Sequence, residues 1–198
     1  PLLADTLASM ANAGHRQALA WSASPYSSYS SCRQYGEDLE AAREASGVTA
    51  PQVKWIRRHH DHPGLIEPAA DRLTEALGRL PIDRRRDAVL AFSAHSIPTT
   101  MATGCRYEAE VAEVARLVAE RVDPAGNHRR EVVWQSRSGP AGVPWLEPDV
   151  VDRIRTLAVE GVDAVAVSPI GFPVENFEIA WDLDVEAAQA AEEYGMAF

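Results

Sequence analysis

The sequence predicts an α/β protein made of two similar lobes, each built on a parallel sheet. Three observations carry this. The run Ala88–Phe92 is continuously apolar, and the run inside 162–168 is nearly so, as in strands covered on both faces. Each strand pattern is followed by turn residues and then by a helical period. The order α-β-α-β-α is followed by β-α-β-α-β-α, and such alternation builds parallel sheets flanked by helices. The boundary is expected at the charged connector Leu80–Asp87. That gives a partial N-terminal lobe over 1–80 and a C-terminal lobe over 81–198, truncated at its last strand.

Leu2, Leu3, Leu7 and Met10 set a helical period over 2–13 that Gly14 stops. Gln17–Ser22 reads as a strand, and 23–32 as a loop rich in serine and tyrosine. A helix over 33–46 follows, with Leu39 and Ala42 on its apolar side and Gly47 as its stop. Gln52–Ile56 is a short strand running into Arg57-Arg-His-His-Asp-His-Pro63, and 64–78 is a helix. The strand 88–92 ends in Ser93-Ala-His-Ser-Ile-Pro98, where proline cannot continue a ladder. Val111, Ala115, Val118 and Val122 mark a helix over 106–122. Glu131–Gln135 is a strand and 136–148 a loop rich in glycine and proline. A helix over 149–160 comes next, with Pro148 tolerated at its start. Strand 162–168 leads into Pro169-Ile-Gly-Phe-Pro173, and 175–194 is the final helix. Gly195–Phe198 reads as a helix stop and the first residues of a further strand.

Hydrophobic residues make up 46% of the chain, enough for a packed core and too many for a disordered one. The net charge of -10 speaks against nucleic acid as a partner, because phosphate binding needs a basic stripe. It does not speak against cations. Cys32 and Cys105 are too few for a disulfide framework, which favours a reducing, cytoplasmic compartment. No apolar run nears the roughly 20 residues of a membrane span, and no signal peptide is recognisable. Nucleotide-binding GxGxxG and P-loop patterns are absent, as is the GxSxG hydrolase elbow. Pro1 stands where an initiator methionine would, so we read the chain as a piece of a longer protein.

His95 is expected just past the carboxyl end of a core strand, where open α/β sheets bind ligands. A histidine there can take a proton or hold a metal; the competing reading is a structural cap on the strand. Glu178, Asp182 and Glu186 recur at i, i+4 and i+8, which on an α-helix puts the carboxylates in one row. From Phe172 to Phe198 there is no Lys or Arg to relieve their repulsion of about 0.2–0.5 kcal/mol per pair. The row reads either as an acidic surface helix or as oxygen ligands that hand a hydrated divalent ion along. Trp145, between Pro144 and Leu146, is either a corner-packing residue or an aromatic wall for a flat ligand. Tyr26, Tyr29 and Tyr35 are candidates for a second wall, with serines such as Ser28 able to bond a ligand carboxylate. His59, His60 and His62 look like a metal cluster but lack a Cys or Glu partner at ligand spacing. The plain reading of Cys32 is a small buried residue.

Together these stretches resemble the ferrochelatase family. The motifs are Pro25-Tyr-Ser-Ser-Tyr-Ser-Ser-Cys-Arg-Gln-Tyr35, Asp61-His-Pro63, Phe92-Ser-Ala-His-Ser-Ile-Pro98, Trp134-Gln-Ser136 with Pro144-Trp-Leu-Glu-Pro-Asp149, and Pro169-Ile-Gly-Phe172 with Glu178 and Trp181-Asp-Leu-Asp184. They look most like the Gram-positive, actinobacterial branch, which uses coproporphyrin III rather than protoporphyrin IX. The resemblance implies two Rossmann-like, chelatase-type lobes with a porphyrin in the cleft between them. It implies insertion of Fe2+ in haem biosynthesis, a lyase reaction that forms nitrogen–metal bonds. The family's histidine falls on His95, its facing glutamate on Glu178, its acidic row on Asp182 and Glu186, and the tryptophan of the PWL motif on Trp145. His95 and Glu178 are thus the expected catalytic pair. Tyr26, Ser28, Tyr35 and Trp145 are expected at the porphyrin, and His95, Glu178, Asp182 and Glu186 at the metal.

The resemblance requires no resident cofactor, since ferrous iron is a substrate. In members with a 2Fe–2S cluster, one cysteine ligand falls on Cys32 and the others in a C-terminal segment outside this chain. A monomer is expected, with transient contact to a membrane surface or a haem-pathway enzyme and none to nucleic acid. The sequence departs from the family pattern at Glu175 and Asn176, where an Asp–His pair is usual, and at Pro173, where an apolar residue is. Asn176 cannot accept a proton, so the support of Glu178 is expected to differ. Two other readings stay open: a cobalt or nickel tetrapyrrole chelatase, and an inactive homologue that binds porphyrin or haem.

Overall fold

The computed structural model describes residues 2–47, 50–140 and 142–198; Ala141 of the Gly/Pro-rich loop is thus outside it. The chain divides into two compact units, Pro1–His59 and His60–Phe198. Both are α/β with parallel strands, as the alternation of patterns predicts.

In the first unit, α1 (Leu3–Asn12) and α2 (Tyr35–Ser46) accompany the strands β1 (Gln17–Ala20) and β2 (Gln52–Trp55). The strands pair in parallel, from Gln17 opposite Gln52 to Ala20 opposite Trp55. Leu7, Leu39 and Ala42 form a small core under them. Between β1 and α2 the Ser/Tyr loop winds into a π-helical turn, Ser30–Gln34, where the sequence suggests an irregular loop.

In the second unit, α3 (Pro63–Arg79) buries Ile66, Ala70, Leu73 and Leu77. A short α4 (Ile82–Arg85) occupies the charged connector. Then come β3 (Val89–His95), a short α5 (Thr99–Ala102), α6 (Tyr107–Val122) and β4 (Arg130–Gln135). After α7 (Val150–Val159) and β5 (Val165–Ser168), α8 (Phe177–Trp181) runs through a π-helical segment, Asp182–Ala187, into α9 (Ala188–Glu193). α3 packs on α6 and β5. Compactness therefore divides the chain after His59, not at the 80–87 connector. The helix that the sequence reading grouped with the N-terminal part belongs with the second sheet.

Among the described residues this second sheet has the order β4-β3-β5, all parallel. β3 is the central strand, and Val89 to Ala94 are all buried. Val89, Ala91 and Val133 face a core completed by Val150, Ile154 and Leu157 of α7 and by Ile179, Leu183 and Ala187. Because the strands are parallel, His95, Gln135 and Ser168 end at one edge of the sheet. The ladder to β4 persists to His95 opposite Gln135, so His95 is the last residue of its strand rather than a residue beyond it. The final helix differs from the uniform α-helix expected: its middle is π-helical, with bonds to i+5 in place of i+4. After it, Ala197 makes a parallel bridge with Ala164, in keeping with the strand-like tail. No described helix is long and apolar enough to cross a membrane.

An ion-pair network ties β4 to α7. Arg153 donates to Glu131 (Nη2 to Oε1, 2.8 Å) and to Glu160 (Nη1 to Oε1, 2.8 Å). Arg129 donates to Glu160 at 2.6 Å. The Arg153 hydrogen bonds hold the Glu131 carboxyl below its usual range and bring Glu160 to about 2. A carboxylate with a lowered folded-state pKa contributes stability above its unfolded pKa, and that stability is lost as pH falls. Arg153→Met should lower the Tm by about 2–4 °C at pH 7. The difference should shrink as pH drops from about 5 towards 2. Thermal unfolding that showed a pH-independent gap would assign the loss to packing rather than charge.

Candidate functional site

His95 ends the central strand with its imidazole half-buried, and its Nδ1 contacts the carbonyl of Ser96. A carbonyl only accepts, so Nδ1 carries the proton and a neutral His95 has its lone pair on Nε2. That Nε2 lies 3.9 Å from Oε2 of Glu178. Phe172 sets its ring edgewise to the imidazole, with centroids 6.4 Å apart. Ser96 is itself held: its N–H donates to the Gln135 carbonyl at 2.7 Å and its hydroxyl to the Leu146 carbonyl at 2.9 Å.

Glu178 stands in the first turn of α8. Asn176 starts that helix, its Oδ1 accepting from the Ile179 N–H at 3.0 Å. So the residue that departs from the family pattern acts here as an N-cap, a role asparagine fills well. The loop before it is pressed onto β3: the Gly171 N–H donates to the Ser93 carbonyl at 3.0 Å. A Cβ on Gly171 would lie 2.6 Å from Cα of Ala94, so only glycine fits.

The acidic row is not the uniform stripe that an α-helix would give. Asp182 accepts from the Ser136 hydroxyl, and Ser136 takes a left-handed φ of 59° just past β4 to present it. Glu186 accepts from the Trp181 indole N–H at 3.1 Å, an i, i+5 pair that the π register aligns. Glu186 also borders a cavity shared with Asp149, Asp152 and Glu193. Burial, with help from the charges of Asp152 and Asp182, pushes the Asp149 carboxyl up, although Asp149 also caps α7. The carboxylates thus face different partners in sequence: Glu178 the histidine, Asp182 a hydroxyl, Glu186 an acidic cavity. Among the described residues, no three His, Cys, Asp or Glu side chains converge to chelate one ion.

Trp145 is half-buried and bridges Pro98, joining the histidine loop to the PWL loop. Thr99 N–H donates to the Pro144 carbonyl and Leu146 N–H to the Ile97 carbonyl, each at 3.0 Å. These backbone bonds pin the corner that carries Trp145. A separate cavity of 420 Å³ lies between α3 and the Pro169–Phe172 loop, and neither His95 nor Glu178 lines it.

In the first unit, the Ser/Tyr loop is organised by Ser31, whose hydroxyl donates to the Tyr26 carbonyl at 2.7 Å and meets the Ser28 hydroxyl at 3.0 Å. Tyr26 is 1% exposed, a core residue rather than an open wall, whereas Tyr29 and Tyr35 are exposed. Cys32 is exposed and free, against the plain reading of a buried residue. The three histidines have three separate tasks. His59 stacks on Trp21 with centroids 5.4 Å apart. His60 lies 3.3 Å from Glu113 and 4.0 Å from buried Glu110. His62 caps α3 through Nδ1, which accepts from Gly64 N–H at 3.0 Å. Sequence reasoning gave Ser136, Ser96 and Gly171 only as members of motifs and assigned none of them a role at the site. Gly171, lodged between apolar residues after a proline, carried the clearest signal of one.

A family model described as Ferrochelatase matches residues 1–198. The chain is 48% identical over 206 residues to the coproporphyrin III ferrochelatase of Nocardia farcinica, covering 100% of this chain and 58% of that protein. To the coproporphyrin III ferrochelatase of Mycolicibacterium vanbaalenii it is 46% identical over 200 residues, with the same coverage of 100% and 58%. To that of Streptomyces griseus it is 42% identical over 211 residues, covering 99% of this chain and 56% of the relative. The chain thus spans somewhat more than half the length of these curated relatives.

Gly171→Ala is expected to push the Pro169–Phe172 loop off β3 and break its bond to Ser93. Overpacking of this kind costs about 1–3 kcal/mol. A crystal structure of the variant should show Phe172 and Glu178 displaced from His95. An unmoved loop would mean that the strand, not the loop, yields.

Proposed function

The chain belongs to the ferrochelatase family, and on that premise we propose that the protein inserts Fe2+ into coproporphyrin III in haem biosynthesis. The observation that carries this is the His95–Glu178 pair, a base with its lone pair fixed on Nε2 and a carboxylate 3.9 Å away. Metallation exchanges one Fe2+ for the two pyrrole N–H protons and forms nitrogen–metal bonds, so we class the reaction as that of a lyase. Nε2 of His95 takes one pyrrole proton; Glu178 stabilises the imidazolium, receives that proton and releases it to solvent, and the regenerated Nε2 then takes the second by the same route. A preformed base and counter-charge need no reorganisation when the proton moves.

The ferrous substrate reaches this pair along Asp182 and Glu186. Because these carboxylates do not converge, each holds the hydrated ion through one or two oxygens and releases it. In this reading Trp145, Tyr35 and Ser28 are porphyrin-binding residues, and buried Tyr26 supports the loop that carries Ser28. An iron–sulfur cluster takes four thiolates, whereas the chain has two cysteines, and Cys105 donates to the Met101 carbonyl. The chain's own residues do not complete such a ligand set. A cytoplasmic monomer accords with two unpaired cysteines and a strongly acidic chain.

The departure at Asn176 favours one rival, an inactive homologue that only binds porphyrin. Asn176 caps the helix and leaves Glu178 beside His95, so the active reading is stronger. A zinc-insertion assay on the full-length protein decides between them, and competition with Co2+ and Ni2+ tests the other chelatase reading. His95→Ala should lower kcat about 100-fold or more while coproporphyrin still binds. Turnover that survives in this variant would mean another group takes the protons. Glu178→Gln should chiefly lower kcat, whereas Asp182→Asn and Glu186→Gln should chiefly raise the KM for metal. Equal damage to kcat at Glu178 and Glu186, with the metal KM unchanged, would sink the delivery route.

A further inference from the structure

β3 ends where its neighbours diverge. On its β5 side the ladder closes at Phe92 opposite Ser168, after which the chain turns away at Pro169. The next acceptor on that side, the Ser93 carbonyl, is met by the N–H of Gly171. The one after it, the carbonyl of His95, has no strand to pair with. A side chain meets it instead: the Tyr107 hydroxyl donates to the His95 carbonyl at 2.9 Å. Tyr107 opens α6, is 6% exposed, and lies against Trp134 with ring centroids 5.8 Å apart. A carbonyl only accepts, so the Tyr107 hydroxyl is the donor in this bond.

The peptide between His95 and Ser96 is thereby fixed at both ends. Tyr107 takes its C=O and the Gln135 carbonyl takes its N–H. The carbonyl of Ser96, in the next peptide along, is the group that fixes the proton on Nδ1. We propose that Tyr107 is a positioning residue for His95, whose hydroxyl locks the peptide that orients the imidazole and so aims Nε2 at Glu178. This rests on His95 being the proton acceptor. Tyr107 touches no substrate; it acts through the backbone of the base.

The test uses the full-length protein with Tyr107→Phe, which removes one oxygen and keeps the ring on Trp134. Kinetics should show kcat reduced about 10–100-fold, as for other groups that orient an active residue, with the KM for porphyrin within about twofold of wild type. Independently of turnover, the His95 Nδ1–H resonance should exchange faster with solvent in the variant, and its ring nitrogens should report a mixed tautomer. Trp134→Phe perturbs the same packing but keeps the hydroxyl, and should leave that resonance in place. If Tyr107→Phe does not fold, a fluorotyrosine at 107, a stronger donor with the same ring, should shift the His95 resonance instead. An unmoved resonance and an unchanged kcat overturn the proposal. Absence of metal insertion by the wild type would instead overturn the functional reading, and the resonance would still decide the role of Tyr107.

Discussion

Burial of β3 on both faces leaves its backbone without water, so every acceptor along it must find a partner in the protein. In the middle of the strand the neighbours supply them through the ladder. At the carboxyl end the neighbours part, and the remaining groups are met one by one: Ser93 by a loop N–H, His95 by a phenol, Ser96 by an imidazole. Each of these bonds also fixes something chemical. The loop N–H seats Phe172, the phenol sets the peptide, and the imidazole bond chooses the tautomer. The candidate site is thus what remains when a fully buried strand satisfies its last hydrogen bonds.

The parallel sense and the placing of His95 at a sheet edge were legible because apolar runs and turn residues report burial directly. β3 runs three residues beyond the expected end at Phe92, because Ser93 and Ala94 continue the ladder to His95 while looking like loop residues. The π register was not legible. Ile179, Leu183 and Ala187 recur at four-residue steps and suit an α-helix equally well. The extra residue per turn shows only in the partners, Trp181 with Glu186 and Ser136 with Asp182. Tyr26 differs for a related reason: a tyrosine in a serine-rich loop reads as exposed, yet it is buried. The grouping of α3 failed because a charged connector marks a change of element, not of packing partner.

The acidic helix also poses a choice between holding and passing an ion. A chelating site needs oxygens at about 2.0–2.6 Å from a common centre. Here the carboxylates are separated and differently engaged, one by a histidine, one by a hydroxyl and one by an indole N–H. The Ser136 hydroxyl and the Trp181 indole N–H compete with an ion for the lone pairs of Asp182 and Glu186. Such competition keeps any one stop shallow, which is the property a path needs and a storage site must avoid.

The π-helical segment also constrains how the chain can vary in length. An α-helix advances about 100° per residue, and a π turn, closing at i+5, advances less, so the six residues Asp182–Ala187 turn through about the same angle as one residue fewer in α register. The wide turn thus absorbs an extra residue, and both ends of the helix keep their buried faces: Ala190 and Ala191 lie in the same core as Ile179. Losing one residue here would let the segment relax into α register with little rotation of α9, at the expense of the Trp181–Glu186 pair that the wide turn aligns. A further inserted residue would instead swing α9 about the axis by about 100° relative to α8, so that either α9 leaves the core or α8 turns Glu178 away from His95. At this position the protein tolerates shortening by one residue better than lengthening.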